Sequence, residues 1–214
     1  MTTGASPLAL VFDAYGTLYD VHSVTRRCES CYPGKGAQLS QLWRAKQLEY
    51  TWQRSLMQRY APFSQVTRDA LEYSCAALGL AFDESLMQEY LKLEPFPEVR
   101  PALARLPMRK AILSNGSPDL LEPLVRNSGL AFEAVLSVDE LRIFKPAPQV
   151  YELAVRRLGL AKERIGFVSS NCWDAVGAKS YGFRVWWINR AGAPLERLGF
   201  RPDEVLKSLD EILR

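Results

Sequence analysis

Five short apolar runs punctuate the chain: LALVFD (8–13), KAILSN (110–115), AVLSV (134–138), RIGFVSS (164–170) and FRVWWIN (183–189). Each is nearly continuous in its apolarity, as a strand covered on both faces is, and lacks the alternation of a strand with one wet side. PDLLEPLVRNSG, APQVYELAVRRLG and WDAVGAKSYG separate them, apolar at helical spacing and each stopped by a glycine. Strands alternating with helices predict an α/β fold with a doubly wound parallel sheet. Ligands of such sheets sit beyond the carboxyl ends of the strands. Asp13, Ser114 and Ser169 fall at such ends.

One connection is far too long for a strand-helix unit. Residues 20–97 carry no strong strand pattern. GAQLSQLWRAKQLEYTWQRSLMQRY puts Leu39, Leu42, Leu48, Trp52 and Leu56 at helical spacing, and FSQVTRDALEYSCAALGL and DESLMQEYLKL continue that period. The pattern predicts a Rossmann-like core formed by 1–19 and 98–214. A helical cap, 20–97, is inserted after the first strand. A cap over strand ends shuts water out of a site.

Composition narrows the function. The chain has 214 residues, a length that suits one large domain or a domain with an insertion. Lys+Arg 27 against Asp+Glu 24 leaves a formal charge of +3, too balanced to argue for a nucleic-acid surface. No apolar stretch approaches the roughly 18–20 residues of a membrane span. MTTGASPLALVFDAYG lacks the basic start and long apolar core of a secretion signal, so a cytoplasmic location is expected. Cys28 and Cys31 form a lone C-x-x-C beside the only histidine, His22, with no set of four zinc ligands. They are read as reduced thiols, and Cys75 as core.

The chemistry concentrates in four segments at the strand ends. Asp13 and Thr17 come from the first, Ser114 and Asn115 from LSNGS, Lys145 from FKPAPQVY. Ser169, Ser170, Asn171 and Asp174 come from VSSNCWDAVGAK. This set in this order resembles the haloacid dehalogenase superfamily, and the resemblance covers nearly the whole chain. The residue types suit the roles it implies. An ionised aspartate at a strand end can attack an electrophile and form an ester. Lys145 supplies a balancing charge, and Ser114, Asn115 and Thr17 supply hydrogen bonds. Superfamily phosphatases carry an acid two residues after the nucleophile and another in the last motif, which protonate the leaving group and hold Mg²⁺. Here those places read Tyr15 and Ser169-Ser170. Phosphoryl transfer needs that charge neutralised. A halide leaves without a proton, and a 2-halocarboxylate carries a single charge.

FDAYGTLYDVHS, LWRAKQLEYTW, SNGSP, FKPAPQVY and SSNCWD narrow the resemblance to the L-2-haloacid dehalogenases. It implies Asp13 as nucleophile at C2, Arg44 and Asn115 as halide acceptors, and Ser114 with backbone amides as the carboxylate site. Tyr15, Leu48, Phe63 and Trp173 would form the alkyl pocket. Thr17, Lys145, Tyr151, Ser169, Asn171 and Asp174 would support the nucleophile or the second step, with Asp174 or Lys145 activating water. The implied reaction turns short L-2-haloalkanoic acids, with water, into D-2-hydroxy acids and halide, with no cofactor and no metal, in a homodimer whose surface the aromatic-rich helix around Tyr50, Trp52 and Tyr60 would supply. The alternative is a small-molecule phosphatase or other C–X hydrolase of the same superfamily. Ala45 departs from the pattern, where relatives often have a larger polar residue. By spacing alone Tyr151 reads as helix packing, Phe63 and Trp173 as core, and Asp174 as a charge on a helix N-terminus.

Overall fold

The computed structural model describes residues 6–213. The chain enters through β1 (Ala9–Phe12) and continues into α1 (His22–Cys31), α2 (Gly36–Leu56) and α3 (Phe63–Ala77). A 3-10 helix (Glu84–Leu91) and α4 (Val99–Arg105) then lead back to β2 (Arg109–Ser114). Beyond it come α5 (Pro118–Ser128), β3 (Ala134–Ser137), α6 (Pro148–Leu158), β4 (Ile165–Ser169), α7 (Cys172–Tyr181), β5 (Arg184–Ile188) and β6 (Glu204–Leu206). The six strands form one parallel sheet in the order β3-β2-β1-β4-β5-β6.

All five expected strands are present, and β1 and β4 are buried along their whole length, as continuous apolar runs require. β1 is flanked by β2 and β4, with Ala9 opposite both Arg109 and Ile165. Strand order reverses at β1, so the crevice past its carboxyl end is where such a sheet binds ligands. β6 was not anticipated. It is three residues long at the sheet edge and reads Glu-Val-Leu, too short and too charged to signal a strand. The segment DESLMQEYLKL is helical as expected, but as a 3-10 turn.

The helices between β1 and β2 leave and rejoin the sheet side by side. Asp20 N donates to Glu94 O (2.8 Å) and Phe96 N to Leu18 O (3.0 Å), so the outgoing and returning chains pair. Further along, Ser55 Oγ accepts from Phe144 N (3.1 Å), Tyr60 Oη donates to Asp139 (2.7 Å), and Ser64 N donates to Ser117 Oγ (3.0 Å). The Tyr60 ring stacks on Phe144 at 4.9 Å. These contacts seat α2 and α3 on the loops after β2 and β3. Among the described residues no helix is long and apolar enough to cross a membrane.

Gly36 starts α2 against α1 with no room for a side chain: a Cβ there would lie 2.1 Å from Glu29 N and 2.2 Å from its Cα. Backbone cannot step aside as a side-chain tip can. Gly36→Ala is expected to destabilise the protein by about 3 kcal/mol, roughly 6–12 °C in Tm, in a thermal melt followed by circular dichroism.

Candidate active site

Asp13 is the first residue past β1. Its N–H donates to Val168 O (2.9 Å), which sets the carboxylate at the seam between β1 and β4. Gly16, at φ +81°, turns the chain back at once, a conformation that costs an ordinary residue its Cβ sterics. Thr17 therefore sits beneath Asp13 and donates to Oδ2 (2.9 Å), while its own oxygen accepts from Ser170 N (2.8 Å). Asn171 Nδ2 (2.8 Å) and Ser169 Oγ (3.5 Å) reach the same Oδ2. Oδ1 takes one donor, Lys145 Nζ at 3.1 Å.

Lys145 joins the pieces. Its ammonium is 99% buried and donates to Asp13 Oδ1 and to Asp174 Oδ2 (2.9 Å), over the face of Phe167. Burial alone would push its pKa down, yet the two carboxylates hold it above the ordinary lysine value. Burial raises Asp174 to about 6, with Lys145 opposing and the charge of Asp13 adding to the rise. Tyr151 donates to Asp174 Oδ1 (2.8 Å). Gly177 makes that approach possible, because a Cβ there would stand 2.6 Å from Tyr151 Oη. Tyr151 is thus more than helix packing, and Asp174 is buried and bonded, not a solvated charge on a helix end. The Lys145 backbone N donates to Asn115 Oδ1 (2.9 Å), which ties the loop after β2 to the same residue.

Arg44 comes from α2. No carboxylate among the described residues lies within ion-pair reach of it, so its charge is uncommitted. Its Nη1 donates to Gln47 Oε1 (2.5 Å). Gln47 in turn donates to Thr67 Oγ1 (2.8 Å), which donates to Phe63 O (2.7 Å). This buried relay fixes the guanidinium without neutralising it. The Tyr15 ring stacks on Phe63 at 5.8 Å and meets Tyr90 edge-on. Trp173 packs edge-on against Trp52 (5.5 Å) and borders a cavity of 610 Å³ shared with Phe144 and Lys145. Leu48 is half-buried one turn beyond Arg44. Ser114 Oγ accepts from Gly116 N (3.0 Å) and is fully buried. A cavity of 480 Å³ opens beside Arg44 and Ala45.

A divalent cation does not suit this donor set. The two positions that would add acids are Tyr15 and Ser170, and the Lys145 ammonium already lies between the two carboxylates present. Among the described residues no cluster of three His, Cys, Asp or Glu side chains could hold a metal ion.

Sequence reasoning missed Gln47 and, more consequentially, Arg190. Arg190 Nη1 donates to Gly16 O (3.1 Å) and Ser170 Oγ (2.7 Å), Nη2 to Thr17 O (3.0 Å), and Nε to Glu98 Oε1 (2.8 Å). Its guanidinium also lies 3.9 Å over the Phe96 ring. One fork thus holds the turn after Asp13, the loop after β4 and the returning chain. The one available signal was its place just past WWIN, at a strand's carboxyl end.

A sequence model of the family described as haloacid dehalogenase-like hydrolase matches residues 8–182. Haloacetate dehalogenase H-2 of Moraxella sp. (strain B) is 50% identical over 214 residues, covering 96% of each chain. (S)-2-Haloacid dehalogenase H-109 of Pseudomonas putida is 50% identical over 212 residues, covering 95% of each. Among solved structures, the L-2-haloacid dehalogenase from Xanthobacter autotrophicus with chloropropionic acid covalently bound superposes with a TM-score of 0.89. It is 44% identical and covers 95% of this chain and 96% of that one.

Lysine at position 190 keeps the charge but cannot span both carbonyls and Ser170. Arg190→Lys is expected to lower kcat for hydrolysis about 10- to 100-fold while KM moves little, since the turn it holds carries Thr17. Steady-state kinetics check it.

Proposed function

This chain belongs to the haloacid dehalogenase-like hydrolases, and we propose that it hydrolyses the carbon–halogen bond of short L-2-haloalkanoic acids. One observation carries the reading. The Asp13 carboxylate is oriented by Lys145, Thr17 and Asn171, while the place of a leaving-group acid holds a phenol. That arrangement suits a nucleophile whose leaving group needs no proton.

Oδ1, with a single donor, attacks C2 from the side opposite the halogen. The C–X pair departs as halide toward Arg44 and Asn115, and C2 inverts. The substrate carboxylate sits at Ser114, and the alkyl group lies among Tyr15, Leu48, Phe63 and Trp173. The product of this step is an ester between Asp13 and C2. In the second step water adds to the Asp13 carbonyl carbon as Asp174 takes its proton. Collapse expels the 2-hydroxy acid, which recovers a proton, and Asp13 returns as a carboxylate. One halide and one proton are released per turnover. Lys145 stays charged throughout, balancing whichever carboxylate is ionised. Residues 20–97 act as the cap that excludes water from this site.

The same reading includes a cytoplasmic location, which four free cysteines fit, and a homodimer. Of Tyr50, Trp52 and Tyr60, the second packs on Trp173 and the third on Phe144, and all three are half-buried. The exposed apolar side chains at the end of α2, Leu56 (86% exposed) and Met57 (59%), are the better surface.

Halide release from L-2-chloropropionate without added metal, with the D-2-hydroxy acid as product, tests the reaction. Single turnover in H₂¹⁸O is expected to leave the label in Asp13 and none in the product hydroxyl. Retention of configuration, or turnover of phosphomonoesters with Mg²⁺ in its place, overturns the proposal.

Asp174 accepts a proton only when ionised. In the ester the Asp13 charge is gone, so kcat is expected to fall, approaching tenfold per pH unit, only as pH drops below the value of about 6 to which burial and that charge raise Asp174 in the free enzyme. Asp174→Asn removes the acid limb along with most of the turnover, and a pH–rate profile of halide release reads both.

A further inference from the structure

The reading above uses Tyr15 as an apolar wall, but its hydroxyl does not fit that part. Oη is buried and has no hydrogen-bond partner among the described residues. A buried donor left without an acceptor costs free energy, so native structures rarely keep one unless something else supplies the acceptor.

The ring cannot swing away to find one. Phe63 stacks on it, Tyr90 meets it edge-on, and Gly116 lies under it. A Cβ at Gly116 would stand 2.9 Å from Tyr15 Cε2 and 3.0 Å from Oη. Ser114 Oγ lies 3.3 Å from that same point. The phenol and the Ser114 hydroxyl therefore lie on the same side of Gly116. Ser114 Oγ already accepts from Gly116 N, which leaves its O–H to donate. Burial, with the Tyr90 hydroxyl adding to it, pushes the phenol's pKa up, so Oη keeps its proton. Arg44, the cation whose charge reaches Tyr15, donates only and so offers the phenolic O–H no acceptor. Two hydroxyl donors on one side of Gly116 suit an acceptor with more than one oxygen.

We propose that Tyr15 binds the substrate directly: its phenolic O–H donates a hydrogen bond to the carboxylate of the 2-haloalkanoate, beside the Ser114 hydroxyl. This rests on the dehalogenase reading and adds a carboxylate-recognition residue to it. Halide contact stays with Arg44 and Asn115, so the phenol acts equally in ground state and transition state.

Tyr15→Phe removes one oxygen and keeps the ring. Wild-type halide release from L-2-chloropropionate is measured first; if there is none, the dehalogenase reading fails and this inference falls with it. With wild type active, Y15F is expected to raise KM for L-2-chloropropionate and Ki for halogen-free propionate about 10- to 100-fold, by one common factor. kcat stays within about threefold, and the factor is the same for the 2-bromo substrate. Unchanged KM and Ki overturn the proposal. So does a loss confined to kcat that grades with the halogen, because it assigns the phenol to the leaving group. Should Y15F fail to fold by circular dichroism, 3-fluorotyrosine placed at position 15 is read by ¹⁹F NMR during a propionate titration. A resonance shift that saturates with propionate supports the assignment and an unmoved resonance overturns it.

Discussion

A single ammonium ion held between two carboxylates, where solvent hardly reaches, organises everything around it. Lys145 Nζ touches Asp13 and Asp174 at 3.1 and 2.9 Å. Losing one member of such a group strands an uncompensated buried charge, at about 3–5 kcal/mol. The group is favourable only because further donors reach both carboxylates: Thr17 and Asn171 on Asp13 Oδ2, Tyr151 on Asp174 Oδ1. The geometry is consequently stiff. β1 supplies the first carboxylate, α7 the second, and the loop before α6 the cation between them. Any shift of one element against another would break a charged hydrogen bond in a place where water cannot replace it.

The chemistry divides along the same lines as the fold. Charged groups sit on strand ends and the loops beyond them, where the sheet fixes their positions. Rings and one uncommitted cation come from the inserted helices, where Trp43 anchors α2 by donating to Thr67 O (2.8 Å). The two halves meet through Ser55 and Phe144, Tyr60 and Asp139, and Trp52 and Trp173. Arg190 then locks the turn after Asp13 to the chain returning from those helices. A side chain with five donors on a rigid plane can do this; a flexible ammonium cannot.

Much of this was legible in the sequence, and the reasons differ by element. The strands were readable because burial on both faces forbids polar residues, and the helices because glycine stops them. Asp13, Lys145 and Asp174 were readable because their order along the chain is a strong pattern and a buried charge has few structural uses. Tyr151 was ambiguous: its ring packs as its spacing suggests, while its hydroxyl bonds Asp174, and periodicity reports only the ring. Gln47 left no trace, and Arg190 only its place past a strand end. Apart from Arg44, one turn from Gln47, their partners are hydroxyls, backbone carbonyls, the Glu98 carboxylate and a ring in distant segments, and such contacts depend on tertiary placement that one sequence does not encode locally. β6 escaped because an edge strand of three residues is defined by pairing with β5 and hardly by composition. The direction in which Trp52 and Tyr60 point was also out of reach, since an aromatic side chain suits an inward or an outward face equally well.

The outgoing and returning chains at residues 18–20 and 94–96 are hydrogen-bonded neighbours, with Tyr19 bridged to Pro95. To the sheet, the whole excursion therefore looks like one tight loop, however much protein it contains. Closing a longer loop between fixed ends costs only logarithmically more entropy. The helical segment is thus a replaceable fitting: a scaffold joined this way can exchange it for one of different size or shape without disturbing the register of β1 against β2.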